Sequence, residues 1–136
     1  MKISKLDNNC LPTILIVQDD ESDRAFESSF LNLFDTVYIS KSQNYIMTLS
    51  WIQQNQPDLI ILRLKKAELP CLSLITSLKM DWLTRDIPTV VIGNRLAVQS
   101  VSNLDYDACL TTPYSAKDLT RVICSFVHSP LCQIFA

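Results

Sequence analysis

Apolar and polar residues along this chain follow two alternating periods. Three short runs are almost wholly β-branched or leucine: Thr13-Ile14-Leu15-Ile16-Val17, Leu59-Ile60-Ile61-Leu62 and Thr89-Val90-Val91-Ile92. Continuous apolar runs of this length suit strands covered on both faces, as in a parallel sheet sandwiched between helices. Thr36-Val37-Tyr38-Ile39-Ser40 alternates instead, the pattern of a half-covered edge strand. Ala108-Cys109-Leu110-Thr111, just before Pro113, predicts a last strand.

Between these runs the period is helical. Phe26, Phe30, Leu33 and Phe34 fall on one face of a helix starting near Ser22, and Tyr45, Ile46, Leu49 and Ile52 do the same after Ser42. Leu74, Ile75 and Leu78 mark a third helix. In the last helix, Ser115 stands three residues before Asp118 in capping-box spacing, and Leu119, Val122, Ile123, Phe126 and Val127 follow at helical spacing until Pro130 stops it.

Strand and helix therefore alternate about five times, which predicts an α/β fold: a doubly wound five-stranded parallel sheet with right-handed crossovers, flanked by about five helices. Ligand sites in such sheets lie at the carboxyl ends of the strands. Gln18, Asp19, Arg63, Gly93 and Thr112 all stand at or just past predicted strand ends.

Composition narrows the function classes. The 136 residues, 48% apolar, are enough for one core. One domain is expected over 1–136, with its core at about 12–128 and an apolar tail at 129–136. Twelve basic against fourteen acidic residues, net −2, make no positive field for nucleic acid. No apolar run is long enough to cross a bilayer, so a soluble, cytoplasmic protein is expected. Cys10, Cys71, Cys109, Cys124 and Cys132 contain no C-x-x-C pair and have only His128 beside them, which is no zinc pattern. They read as reduced thiols, mostly small core hydrophobes. The single glycine, Gly93, excludes Gly-rich phosphate loops and with them most nucleotide-dependent enzymes.

Taken together, these motifs resemble the response-regulator receiver (CheY-like) family. Ile14-Leu15-Ile16-Val17-Gln18-Asp19-Asp20-Glu21-Ser22-Asp23-Arg24 is similar to the family's opening strand, acidic pair and following arginine. Pro57-Asp58-Leu59-Ile60-Ile61-Leu62 is similar to the approach to its phosphoacceptor, Ile87-Pro88-Thr89-Val90-Val91-Ile92 to its fourth strand, and Thr112-Pro113-Tyr114 to its closing Lys-Pro-Phe turn. The resemblance covers roughly Pro12 to His128 and implies a flavodoxin-like receiver fold with strand order 2-1-3-4-5.

It also implies a chemistry that this chain has lost. The family holds Mg²⁺ with two adjacent acids, accepts phosphate on an aspartate, reads it with a hydroxyl and neutralises it with a lysine. Here Gln18 replaces the first acid, Asp19 keeps the second, Arg63 replaces the phosphoacceptor, Gly93 the hydroxyl residue and Thr112 the lysine. The expected protein is a stand-alone pseudo-receiver in two-component (phosphorelay) signalling, with no metal, cofactor or enzymatic activity, that acts by protein–protein contact. The resemblance points to a sensor kinase, a regulator or another receiver as partner, with a homodimer as a further option. No nucleic acid or membrane is expected. The alternative is a sensor in which the vacated pocket takes a small anion beside Arg63, or a thiol such as Cys71 reports oxidation. A phosphoacceptor at Asp19 or Asp20 is a third reading.

Other residues carry smaller expectations. Arg63 either pairs with Asp19 across neighbouring strands or reaches to solvent. Asp20, Glu21 and Asp23 suit the first turn of a helix. Tyr114, Arg95 and Tyr106 outline a partner face around the fourth strand, a shortened fourth helix and the fifth strand. Trp82 is expected to cover the core, and Leu131, Ile134 and Phe135 to pack back on the domain.

Overall fold

The computed structural model describes residues 11–18, 31, 34–40, 45–65, 69–128 and 132, with backbone alone at 40 and 69–71. Five strands, β1 (Thr13–Gln18), β2 (Asp35–Ser40), β3 (Leu59–Leu64), β4 (Thr89–Gly93) and β5 (Ala108–Thr111), form one sheet in the order β2-β1-β3-β4-β5. Every neighbouring pair is parallel. Four helices stand among the described residues: α1 (Tyr45–Asn55), α2 (Leu69–Met80), α3 (Arg95–Ser100) and α4 (Ala116–Phe126). The helix expected from Ser22 lies outside them, apart from the buried Phe34.

The continuous apolar runs divide by strand period between two cores. Ile14, Ile16, Leu59, Ile61, Val90 and Ile92 point to the face covered by Leu119, Ile123 and Val127. Leu15, Val17, Ile60, Leu62, Leu64 and Val91 point to the face covered by Ile52, Leu74, Ile75, Leu78, Ala97 and Val98. β1, β3 and β4 lie inside the sheet and need apolar side chains on both faces. The edge strands β2 and β5 need them on alternate residues, as β5 demonstrates with Ala108 and Leu110 packed inward and Cys109 and Thr111 exposed.

Four expectations change. On α1, Ile46 is 58% exposed, because the buried face runs through Tyr45, Thr48, Leu49 and Ile52, and position 46 stands about 100° from position 45. Helix α2 starts at Leu69, ahead of the Leu74, Ile75 and Leu78 stripe that marks it in the sequence; proline is tolerated in a first turn, where its missing N–H has no partner to lose. Trp82 is 73% exposed and covers no core, since the turn after α2 ends against Thr84, whose hydroxyl donates to the Leu78 carbonyl. Helix α4 begins with the expected capping box on Ser115 and Asp118 but ends at Phe126, leaving Val127 as an extended, buried C-cap.

The cysteine reading also changes. Cys124 and Cys132 form a disulfide with a Cα–Cα separation of 5.5 Å, within the usual range for a bridge. Helix α4 places Cys124 on its last turn, and Cys132 returns beside it. Cys109 is a free, exposed thiol.

Candidate functional site

The sheet brings four of the five predicted pocket positions to one end. The β1–β3 register closes at Val17 and Leu62, so Gln18 and Arg63 are the next residues on neighbouring strands. Both side chains are half-buried, and Arg63 Nη1 donates to Gln18 Oε1 at 2.9 Å. Arg63 is therefore held across the strand ends by Gln18 rather than reaching only to solvent. Asp19, the other proposed partner, lies outside the described residues.

β4 supplies no side chain to this end. A Cβ built on Gly93 would stand 2.6 Å from the Leu64 carbonyl oxygen and 3.2 Å from Ala97 Cβ. The β3 and β4 backbones, paired Leu64 to Gly93, and the start of α3 close around the only residue without a Cβ. Gly93 in turn accepts from the Thr112 N–H at 2.8 Å, which places the exposed Thr112 immediately beyond β5, before a cis Thr112–Pro113 peptide. Asn94 caps α3 by accepting from the Ala97 N–H at 2.8 Å, and its amide donates to the Lys65 carbonyl at 3.3 Å, joining the loops that follow β3 and β4.

This donor set decides what the pocket can do. A hard divalent cation seeks carboxylate oxygens, whereas Gln18 presents an amide already engaged by a guanidinium, and Arg63 sets a positive charge there. Among the described residues, no three His, Cys, Asp or Glu side chains stand close enough to hold a metal. Guanidinium is a donor with no acceptor and no nucleophilic lone pair, so Arg63 cannot form an acyl phosphate. The described residues at this end of the sheet do not fit magnesium-dependent phosphoryl transfer.

The residues expected to contact a partner lie around the β5 edge. Arg95 is exposed at the start of α3. Tyr106 is half-buried against the core beneath α3, and Tyr114 half-buried against the core beneath α4. The Tyr106 phenol is pushed above its usual 10.0, first by burial and then by the charge and hydrogen bond of Cys109. Leu96, 78% exposed on α3, belongs to the same surface and is missing from the sequence reading. Its signal is present in the pattern, since Ala97, Val98 and Val101 form the buried face and leave Leu96 off it. A separate groove of 320 Å³ between α1 and α2, lined by Tyr45, Leu72, Ser73, Thr76 and Ser77, carries hydroxyls but no carboxylate, imidazole or thiol.

No protein-family profile and no curated protein matches the sequence. Solved structures do match. The receiver domain of the sensor histidine kinase PA1611 from Pseudomonas aeruginosa, described with a magnesium ion coordinated in its active site cleft, superposes with a TM-score of 0.68 at 15% identity, covering 88% of this chain and 100% of that one. The chemotaxis response regulator CheY4 of Vibrio cholerae gives 0.68 at 15% identity, covering 86% and 99%. A sensor protein from Polaromonas gives 0.68 at 20% identity, covering 92% and 98%. With strand order β2-β1-β3-β4-β5 and these superpositions, the chain has the flavodoxin-like fold of response-regulator receiver domains.

Proposed function

We propose that this protein is a pseudo-receiver: a member of the receiver family that works in two-component signalling by protein–protein contact and takes no phosphate at the end of β3. One observation carries the reading. The side chain where the acceptor aspartate is expected is a guanidinium, and it is hydrogen-bonded to the side chain where the first metal-binding acid is expected. In the PA1611 receiver that cleft coordinates magnesium; here the cation at the strand ends belongs to the protein. The partner is a sensor kinase, a regulator or another receiver. It docks on the surface formed by the end of β4, α3, β5 and Tyr114, where Arg95, Leu96 and Cys109 are exposed. The protein is a cytoplasmic signalling module and not an enzyme, and no helix among its described residues is long and apolar enough to cross a membrane.

Intact-mass spectrometry after incubation with Mg²⁺ and acetyl phosphate, beside a conventional receiver, tests this. The expected outcome is a labelled control and no added phosphate here, for the native chain and for Arg63→Asp alike. A stoichiometric phosphate on the native chain overturns the proposal and points to an acceptor such as Asp19 or Asp20.

A further inference from the structure

The Cys124–Cys132 bridge is independent of the strand-end pocket and closes only eight residues of sequence separation. Cys124 and Cys132 are half-buried and, like Leu110, Tyr114, Val122 and Phe126, pack against the outside of the fully buried cluster rather than within it. The interior of that core does not depend on them: Leu119 at 2%, Ile123 at 0% and Val127 at 3% exposure anchor α4 without either cysteine. The reduced state also has a place for its hydrogen, since Cys132 Sγ lies 3.5 Å from the Val127 carbonyl oxygen. A short loop, cysteines short of full burial, a core filled by other residues and a waiting acceptor favour an exchangeable pair over a structural staple.

We propose that Cys124 and Cys132 form a reversible thiol–disulfide site on the folded domain, serviced by small thiols such as glutathione or by a dithiol protein. In reduction, a reagent thiolate attacks one of the two sulfurs and the Sγ–Sγ bond breaks. The released cysteine thiolate takes a proton, and a second reagent thiol displaces the mixed disulfide. Two electrons and two protons enter the protein, and the reagent leaves as its own disulfide. Oxidation is the reverse exchange with a reagent disulfide. Opening the bridge unties position 132 from α4 at the margin of the cluster that holds Tyr114.

The full chain, equilibrated in glutathione buffers from oxidising to reducing, is blocked with N-ethylmaleimide and digested with trypsin. Cleavage after Arg121 gives one peptide, Val122 to Ala136, containing both cysteines. The expected result is a smooth passage from an unlabelled, bridged peptide to a doubly labelled one, with circular dichroism and cooperative unfolding retained throughout. Cys132→Ser is expected to fold and to leave Cys124 without an intramolecular bridge in every buffer, labelled under reducing conditions and carrying a glutathione adduct under oxidising ones. A bridge that survives the reducing buffer until the chain unfolds makes it a structural staple and overturns the proposal. So does a pair that stays labelled in the oxidising buffer, or one in which Cys124 bridges to another cysteine.

Discussion

Replacing Gly93 with alanine adds one methyl group at the point where β3, β4 and α3 meet. That methyl would sit 2.6 Å from the Leu64 carbonyl oxygen, well inside the 3.4 Å of ordinary contact, so the two backbones must shift apart. The obstacle is backbone, held by the Leu64 to Gly93 register and by the Thr112 N–H bonded to the Gly93 carbonyl, so no side-chain rotation relieves it. Overpacking of this kind costs about 1–3 kcal/mol. The smaller entropy of the unfolded alanine chain returns about 0.4–1 kcal/mol. With the middle of each range, the balance is a loss of about 1.3 kcal/mol. With an m-value near 2 kcal/mol/M in urea, the midpoint falls by about 0.5–1 M at unchanged slope. Adding Ala97→Gly removes the 3.2 Å contact but leaves the carbonyl, so a double-mutant cycle should show coupling below about 0.5 kcal/mol. A Gly93→Ala midpoint equal to or above that of the native chain would refute the close approach, and with it the explanation for the missing side chain.

Three further outcomes are expected. Asp107→Ala removes the acceptor of Lys79 Nζ at 2.8 Å and of the Thr89 N–H at 2.7 Å; with Asp107 partly exposed, urea unfolding should show a loss of about 1–3 kcal/mol, and Asp107→Asn, which keeps an oxygen for Thr89, a smaller one. The Tyr106 phenol is raised above 10.0, so the native state holds its proton more tightly than the unfolded chain; this contribution to stability is complete below about pH 10 and is lost as pH rises through the folded value. Phenolate absorbance should therefore include a late component that is absent from Tyr106→Phe; a Tyr106→Phe titration that lacks no late component relative to the native chain removes the effect. Reducing the Cys124–Cys132 bridge should lower stability by about 2–3 kcal/mol, the chain-entropy cost of so short a loop, measured as the difference in urea stability with and without dithiothreitol.

Strands were more legible in the sequence than helices, and the reason lies in burial. A strand covered on both faces has no room for polar residues, so β1, β3 and β4 announce themselves as apolar runs. A helix shows only a stripe, and its edges mislead: Ile46 has the right chemistry but stands off the face that Thr48, a buried polar residue, actually occupies. Trp82 misled for a related reason, because its size suggested burial while its place in a turn left it nothing to cover. Pairing in space was the least legible. Gln18 and Arg63 are 45 residues apart, and their bond follows from strand order and register rather than from local pattern. The disulfide joins cysteines at a spacing that matches no motif, and becomes visible only when Cys132 is seen to return beside the last turn of α4.

The geometry also bears on how far phosphate chemistry could be introduced at the strand ends of the proposed pseudo-receiver. Arg63→Asp returns a carboxylate to β3, but it leaves Gln18 with an amide and Thr112 without a charge, so the negative charge of a phosphoryl group would still be largely unneutralised. A hydroxyl at position 93 meets a harder barrier, since serine and threonine share the Cβ that collides with the Leu64 carbonyl. Placing such a residue there means widening the gap between β3 and β4, whose pairing Leu64 to Gly93 runs to the strand ends. The Thr112 N–H donates to the same glycine carbonyl, so the shift would carry into the loop before Tyr114. Positions 64, 93 and 112 are thus joined through the backbone. A chain carrying the full acidic, hydroxyl and lysine set on this backbone should be less stable than its separate substitutions sum to. If such a chain instead accepted phosphate readily at undiminished stability, the pocket would be a receiver with altered side chains and an unaltered frame.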